Sequence, residues 1–514
     1  MLGGIIVIKN ILEYLETTLE KHGDKVAVID GERQITFNAL ASNAWSVGTA
    51  IYKKSNAQIK QPVAVFLPKS IECVTADIGI VYSGNAYMNL DVKTPMQRIG
   101  NIIKLVQPAY IITEEKYYDV LKTIYPAEQI LLIGNLVKEL PQHDVLLQHL
   151  ERVIDIDPLC LINTSGSTGT PKSVVLNHKS FIDYTTWAIE TTGLKEDEIL
   201  GSIAPSVFDH FSYELCLIMV HSCTMCIVPE TYMIFPVKLL QLVVEQKVTY
   251  IFWVPTIMVN IANMDLLSRI PLPDVRMVWF AGEVFPTKQF NYWRKKLPNA
   301  KFVNLYGPTE ITVDCTYYIV EREISDSEPL PIGYPCRNTD VLILDANNNL
   351  VTEPNAEGEL CVRGTALAMG YYNNLEKTEA AFVQNPLNKA YPEKIYKTGD
   401  IVYINNYGEI VYKGRNDSLI KHMGKRIELG EIEHIIVNKL QIVKNACALY
   451  DYTKKEIVLI YEAEEEKTAA EMRKMLSKEL PNYMIPTKYI RKDILPRNTN
   501  GKIDRLKLKE EVNQ

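Results

Sequence analysis

Short apolar runs alternate with longer segments of helical period from about residue 11 to residue 306, and this alternation restricts the chain to α/β layers. The runs at Val63–Leu67, Ala109–Thr113, Leu159–Ile162, Val174–Leu176, Leu200–Ala204, Thr224–Val228, Val248–Trp253, Met277–Phe280 and Phe302–Tyr306 read as strands. Ile11–Lys21, Asn38–Lys53, Glu72–Ser83, Phe181–Thr192, Tyr213–Val220 and Lys238–Lys247 have helical spacing, and Ala27–Phe37 reads as a hairpin turning at Asp30-Gly-Glu. Strands end in small-residue turns at Ala281-Gly282 and Gly307-Pro308, and open α/β sheets bind ligands outside their carboxyl ends. From about Pro331 short strands such as Thr339–Leu344 and Gly358–Val362 predict a β-rich subdomain. Gly414-Arg-Asn-Asp417 is a compact polar break. Beyond it, Ile427–Asn438, Glu456–Glu462 and Thr468–Leu480 form a small helix-and-strand module. The basic tail carries a turn at Asn498–Ile503.

Between two of these strands lies Thr164-Ser-Gly-Ser-Thr-Gly-Thr-Pro-Lys172. Such a loop can turn amides, hydroxyls and one ammonium toward a polyphosphate. Gly166 and Gly169 admit close approach, and Pro171 stiffens the exit. It is not a P-loop of the Gly-Lys-Ser/Thr type, because Lys172 follows proline and precedes a strand. An ordinary Ser/Thr/Gly hairpin loop has the same composition.

At 514 residues the chain should hold more than one domain. A net charge of −7 argues against nucleic-acid binding, and no apolar run reaches the length of a membrane span. The start, Met1–Ile8, lacks the basic region and cleavage site of a signal peptide. Nine scattered cysteines then predict reduced thiols and a cytoplasmic protein. Cys223-Thr-Met-Cys226 has no second ligand pair and reads as part of a buried strand.

Eight motifs stand in order along the chain. They are Thr164–Lys172, Phe208-Asp209, Asn304-Leu-Tyr-Gly-Pro-Thr-Glu310, Gly358-Glu-Leu, Tyr396-Lys-Thr-Gly-Asp400, Gly414-Arg-Asn-Asp417, Arg426-Ile-Glu-Leu-Gly-Glu-Ile-Glu433 and Asn500-Gly-Lys502. With them the chain resembles the adenylate-forming superfamily over about residues 11 to 508. Within it, the amino-acid adenylation domains of nonribosomal peptide synthesis and the D-alanine–carrier-protein ligases are the nearest in pattern. The resemblance implies a large N-terminal domain of layered sheets and helices (1–416, β-rich from about 331) and a small mobile α+β C-terminal domain (417–514).

The implied reaction joins a carboxylate to the α-phosphate of ATP, with Mg²⁺, releases pyrophosphate, and passes the acyl group to a phosphopantetheine thiol. By the same resemblance Lys502 is the catalytic cation, Thr309 bonds the α-phosphate and Glu310 holds Mg²⁺, a hard oxygen ligand for a hard cation. Thr164, Ser165, Gly166, Ser167, Thr168, Gly169 and Lys172 would bind the phosphates, and Asn304 and Gly307 would also belong to the ATP site. Tyr306 would lie along the adenine, Asp400 accept the ribose hydroxyls, and Arg415 reach the ribose or phosphates. Asp417 falls at the family's hinge, and Gly424 would leave room for the pantetheine arm. Asp209 would pair with the substrate's α-ammonium, favouring an amino acid over a fatty or aryl acid. His210, Tyr213, Phe252, Trp279, Ala281, Leu305, Val313 and Asp314 would complete the pocket. The bulk of Phe252 and Trp279 favours alanine, serine or glycine. Gly282-Glu-Val-Phe-Pro286 is similar to a segment of the D-alanine ligases, while Asp314 keeps a polar substrate open. The sequence ends soon after Lys502, so the expected partner is a separate phosphopantetheinylated carrier protein. An acyl- or aryl-CoA ligase and a non-catalytic nucleotide-binding scaffold are the competing readings.

Overall fold

The computed structural model describes residues 8–164, 171–415, 419–463, 467–496 and 503–512, with backbone alone at Arg415, Leu419, His434 and Leu506. Ser165, Gly166, Ser167, Thr168, Gly169, Asp417 and Lys502 lie outside the described residues, as does the Arg415 side chain. The chain divides into two compact units. The first comprises Met1–Val92, Val106–Ile162 and Val174–Gly414; the second comprises Lys93–Leu105, Asn163–Ser173 and Arg415–Gln514.

A nine-stranded sheet organises the first unit. Its six inner strands run parallel in the order Val26–Asp30, Thr224–Ile227, Ile199–Ser202, Tyr250–Trp253, Met277–Phe280, Lys301–Tyr306. These strands read as continuous apolar runs because helices and a second sheet cover both faces. Arg33–Thr36 closes one edge; at the other, Thr316–Ile319 and then the short strand Tyr334–Pro335 follow, all antiparallel to their neighbours. From Ile199–Ser202 the chain goes to Thr224–Ile227 on one side and later to Tyr250–Trp253 on the other. That reversal makes a topological switch point, where a crevice opens at the carboxyl ends of the strands.

A seven-stranded sheet carries Gly370–Tyr371, Lys172–Asn177, Pro158–Thr164, Ala86–Asn89, Pro62–Phe66, Tyr110–Thr113 and Ile130–Leu132 in that spatial order. A five-stranded antiparallel sheet of Thr339–Leu344, Glu357–Gly364, Lys394–Ile404, Phe382–Gln384 and Ile410–Arg415 forms the expected β-rich part. The second unit has the hairpin Leu419–His422/Lys425–Glu428, a three-stranded sheet (Asn445–Asp451, Glu456–Glu462, Lys488–Lys492) and its own apolar core around Ile432, Leu459 and Leu476. Large N-terminal layers with a small α+β module are therefore the architecture.

Helix starts follow local chemistry. Ser70 caps Ile71–Tyr82 by accepting from the Cys73 amide, Asn177 caps His178–Thr192, and Thr468 with Glu471 forms a capping box for Ala469–Leu476. Two expectations need correction. The helix expected from Tyr213 begins at Asp209, because a carboxylate at the first turn complements the helix dipole and Phe211 and Leu215 bury the same face. Of the break expected at Gly414-Arg-Asn-Asp417, Gly414 and Arg415 are instead the end of the strand Ile410–Arg415, paired with Lys394–Ile404, and Asn416 and Asp417 lie outside the described residues. Pro255–Asn263 and Thr287–Lys296 are helices that apolar periodicity did not single out. All nine cysteines are free and buried. Among the described residues no helix is long and apolar enough to cross a membrane.

Candidate active site

The sheet's switch point delivers the site. Asp209 begins the helix that follows Ile199–Ser202 and is 8% exposed. Its Oδ1 accepts from the His210 amide at 3.0 Å, its Oδ2 from the Val313 amide at 3.3 Å, and the Thr309 side chain bonds the same carboxylate. No cation of the described residues pairs with it. Burial pushes the carboxyl above its ordinary range, and the three donors oppose that shift. A buried carboxylate with donors but no counter-charge is a receptor for a cation.

The aromatic side chains behind Asp209 pack on one another. Tyr213 stacks on Trp279 at 5.9 Å between centroids and 7° between planes, and its hydroxyl meets that of Tyr250 at 3.3 Å. Phe252 meets Trp279 edge-on at 5.5 Å, and the His210 ring lies 3.8 Å from Phe252. Tyr213 and Trp279 are fully buried and Phe252 nearly so. Leu305, Val313 and Asp314 are buried as well, while Ala281 is half-buried. Asp314 Oδ2 accepts from the Tyr184 hydroxyl at 2.8 Å. The strand Met277–Phe280 hands Trp279 to this cluster, and Tyr250–Trp253 hands it Phe252, because alternate residues of neighbouring parallel strands share a face.

Of the residues expected to hold adenosine, the Tyr306 hydroxyl donates to Asp400 Oδ2, so one of the two oxygens expected to take ribose hydroxyls already has a donor. Asn304, expected to bind ATP, donates its amide to the Pro331 carbonyl at 2.7 Å and ties down the neighbouring loop. Gly307 admits no Cβ: one would lie 2.3 Å from the Val313 carbonyl oxygen and 2.4 Å from the Asp314 Cα. Glu310 sits in a short 3₁₀ turn, Thr309–Ile311, fully buried, with Oε1 accepting from the Tyr371 hydroxyl at 2.8 Å. Among the described residues no three His, Cys, Asp or Glu side chains cluster to hold a metal. A lone carboxylate suits Mg²⁺, which keeps water and substrate phosphates as its other ligands. Glu310 is the residue expected to hold it.

In the second unit, Thr164 and Lys172 flank the segment 165–170. Lys172 Nζ donates to Glu428 Oε1 at 2.9 Å, with side chains 15% and 9% exposed. Gly424 has φ +73° and Met423 φ +51°, the pair of left-handed residues that a two-residue hairpin turn requires. The glycine thus has a backbone reason independent of any ligand.

Sequence reasoning missed the supporting residues. Tyr184, Tyr250 and Tyr371 were not singled out. Thr312 and Val313, with φ of 54° and 64°, place two β-branched residues in the left-handed region beside Asp209, and the sequence carries no signal for that.

The family model described as "AMP-binding enzyme" matches residues 15–372. Gramicidin S synthase 1 of Brevibacillus brevis is 29% identical over 504 residues, covering 98% of this chain and 44% of the relative. The chain thus spans less than half the length of the first curated relatives it matches. Among solved structures, the Vibrio cholerae adenylation domain AlmE, in complex with glycyl-adenosine-5'-phosphate, aligns with a TM-score of 0.84 at 18% identity, covering 100% of this chain and 99% of that one. NpsA-ThdA, an artificially fused adenylation–PCP di-domain from Klebsiella oxytoca, aligns with a TM-score of 0.80 at 21% identity, covering 95% of each. At these identities the structural matches establish the fold.

Proposed function

The chain belongs to the AMP-binding enzyme family of adenylate-forming proteins, and from that premise we propose that it activates a small amino acid as aminoacyl-AMP, releases pyrophosphate, and transfers the acyl group to the phosphopantetheine thiol of a separate carrier protein. Asp209 carries this reading: a buried carboxylate held by the His210 and Val313 amides, with no cation of the described residues beside it, suits an incoming α-ammonium. The mutually packed Tyr213, Phe252 and Trp279 leave little room for a side chain, which supports a small one. The glycyl adenylate of AlmE and the fused carrier of NpsA-ThdA lend support by analogy.

In this proposal Asp209 orients the amino acid and Tyr306 and Asp400 hold the adenosine. Glu310 holds Mg²⁺, which supplies positive charge to the phosphates. Lys172, Thr164 and the segment between them bind the phosphate chain. Lys502 balances charge between carboxylate and α-phosphate, and Asp417 is the hinge of a mobile module, 417–514. Pyrophosphate exchange into ATP, run over the amino acids with a fatty and an aryl acid as controls, tests it. A small amino acid should stimulate exchange, and Asp209→Asn should lose roughly 10²-fold or more in kcat/KM through the missing charge pair. Exchange with the fatty or aryl acid alone would make the chain an acyl- or aryl-CoA ligase instead.

A further inference from the structure

Behind the His210 wall of the pocket lies a buried array of charge. Lys69 precedes the cap residue Ser70 and is 7% exposed, and Glu214 is fully buried. The Lys69 ammonium donates to the Ser202 carbonyl at 3.0 Å and the Ala204 carbonyl at 2.7 Å, and stands 3.7 Å from Glu214 Oε2. The Ser202 hydroxyl bridges them, accepting from Lys69 and donating to the same Oε2. Ionisable groups this deep are retained only when paired and hydrogen-bonded. The other carboxylate oxygen, Oε1, makes no hydrogen bond and faces His210 Nε2 at 3.5 Å, one helical turn back.

A carboxylate facing Nε2 selects the tautomer with its proton on that nitrogen and leaves a lone pair on Nδ1. Burial, and then Lys69, hold the imidazole's pKa down to about 3, so the ring is neutral. Among the described residues Nδ1 makes no hydrogen bond and Nε2 is enclosed without one, while the His210 side chain as a whole keeps 17% of its surface exposed. Phe252 against the ring opposes its rotation.

We propose that Lys69, Ser202 and Glu214 are positioning residues that fix His210 as a hydrogen-bond acceptor for the substrate side chain, so that the enzyme selects a small hydroxyl-bearing amino acid, serine, over alanine and glycine. This rests on the reading of the chain as an amino-acid-activating enzyme. Alanine leaves the acceptor unsatisfied, and glycine leaves both acceptor and space unfilled.

Pyrophosphate exchange with serine and alanine tests the proposal in the native protein, His210→Leu, His210→Asn and the double variant Lys69→Met/Glu214→Met. The double variant removes both buried charges together, which an interior tolerates better than losing one. The native enzyme should favour serine by roughly 10-fold or more in kcat/KM. His210→Leu should collapse that ratio, and His210→Asn, whose amide oxygen can take the place of Nδ1, should keep more of it. The double variant should lower the ratio chiefly through KM for serine, a split that general damage to the fold would not produce. A native ratio near one, or a ratio unchanged in His210→Leu, overturns the proposal while leaving amino-acid activation standing; the native measurement decides even if a variant fails to fold. An unchanged ratio in the folded double variant overturns the role of the charge array. Exchange with no amino acid at all overturns the underlying reading as well.

Discussion

Single residues of this chain are placed against their own preferences, and two of them give clear tests. Asp77 is fully buried; Asn89 donates to its Oδ2 at 2.9 Å, and Oδ1 has no partner. Burial holds its carboxyl well above the ordinary range. Below about pH 4 the folded and unfolded chains both keep the proton. Above that pH the unfolded chain releases it and the folded chain does not, so native stability falls with rising pH until the folded group titrates. Asp77→Asn removes that penalty. Urea midpoints at pH 5 and pH 8 should show the variant gaining on the native protein as pH rises, by about 1.4 kcal/mol per unit while the linkage lasts. A gap independent of pH would mean an ionised Asp77. Gly307 gives the second test. The Cβ of Gly307→Ala would collide with backbone at Val313 and Asp314, so that turn must move and take the Val313 amide away from Asp209. Small displacements of a positioning group cost roughly 10²-fold, so kcat/KM for the amino acid should drop by about that factor. Native kinetics in Gly307→Ala would show that Asp209 does not depend on this turn.

At the scale of elements, the sequence was most legible where one apolar run made one strand. Met277–Phe280, Thr339–Leu344 and Glu456–Glu462 have the bounds their residues predict; the first and, between its terminal glutamates, the last are apolar because both faces are buried. Tyr306, Asp400, Asp209 and Glu310 are candidates from the sequence because ordered motifs mark them. Lys69 and Glu214 could not, since their pairing depends on how two helices meet the end of Ile199–Ser202. The helix Met96–Val106 was passed over too, and it belongs with the second unit through segment Lys93–Leu105. There the Arg98 guanidinium donates to Glu431 Oε1 on the helix Leu429–His434, with side chains 10% and 0% exposed. Removing one partner of such a pair takes the main counter-charge from the other, at a cost of about 3–5 kcal/mol. Arg98→Met should destabilise by about that amount in chemical denaturation, and Arg98→Met/Glu431→Met should recover most of it. A double variant as unstable as the sum of the singles would show that the pair is not coupled.

At the scale of the whole molecule, each unit has apolar clusters of its own among the described residues. The first unit is built around residues such as Val63, Leu200 and Val303, with a further cluster around Trp253 and Phe290. The second unit has its own clusters around Ile432 and Leu459, and around Val458 and Leu508. Cooperative unfolding follows a shared core, so a chain with distinct cores should not melt in one step. Scanning calorimetry should give a total enthalpy exceeding the van't Hoff enthalpy by roughly twofold or more. Ligand binding then labels the transitions. Tyr306 and Asp400, proposed to hold adenosine, both lie in the first unit, whose greater length gives the larger enthalpy. A ligand at about 100 times its Kd adds roughly 2.7 kcal/mol to the folded state that binds it. Saturating ATP with Mg²⁺ should therefore raise the larger transition. A larger transition that ignores ATP would remove Tyr306 and Asp400 from the adenosine site, and one two-state peak for the whole chain would show that the two units fold as one.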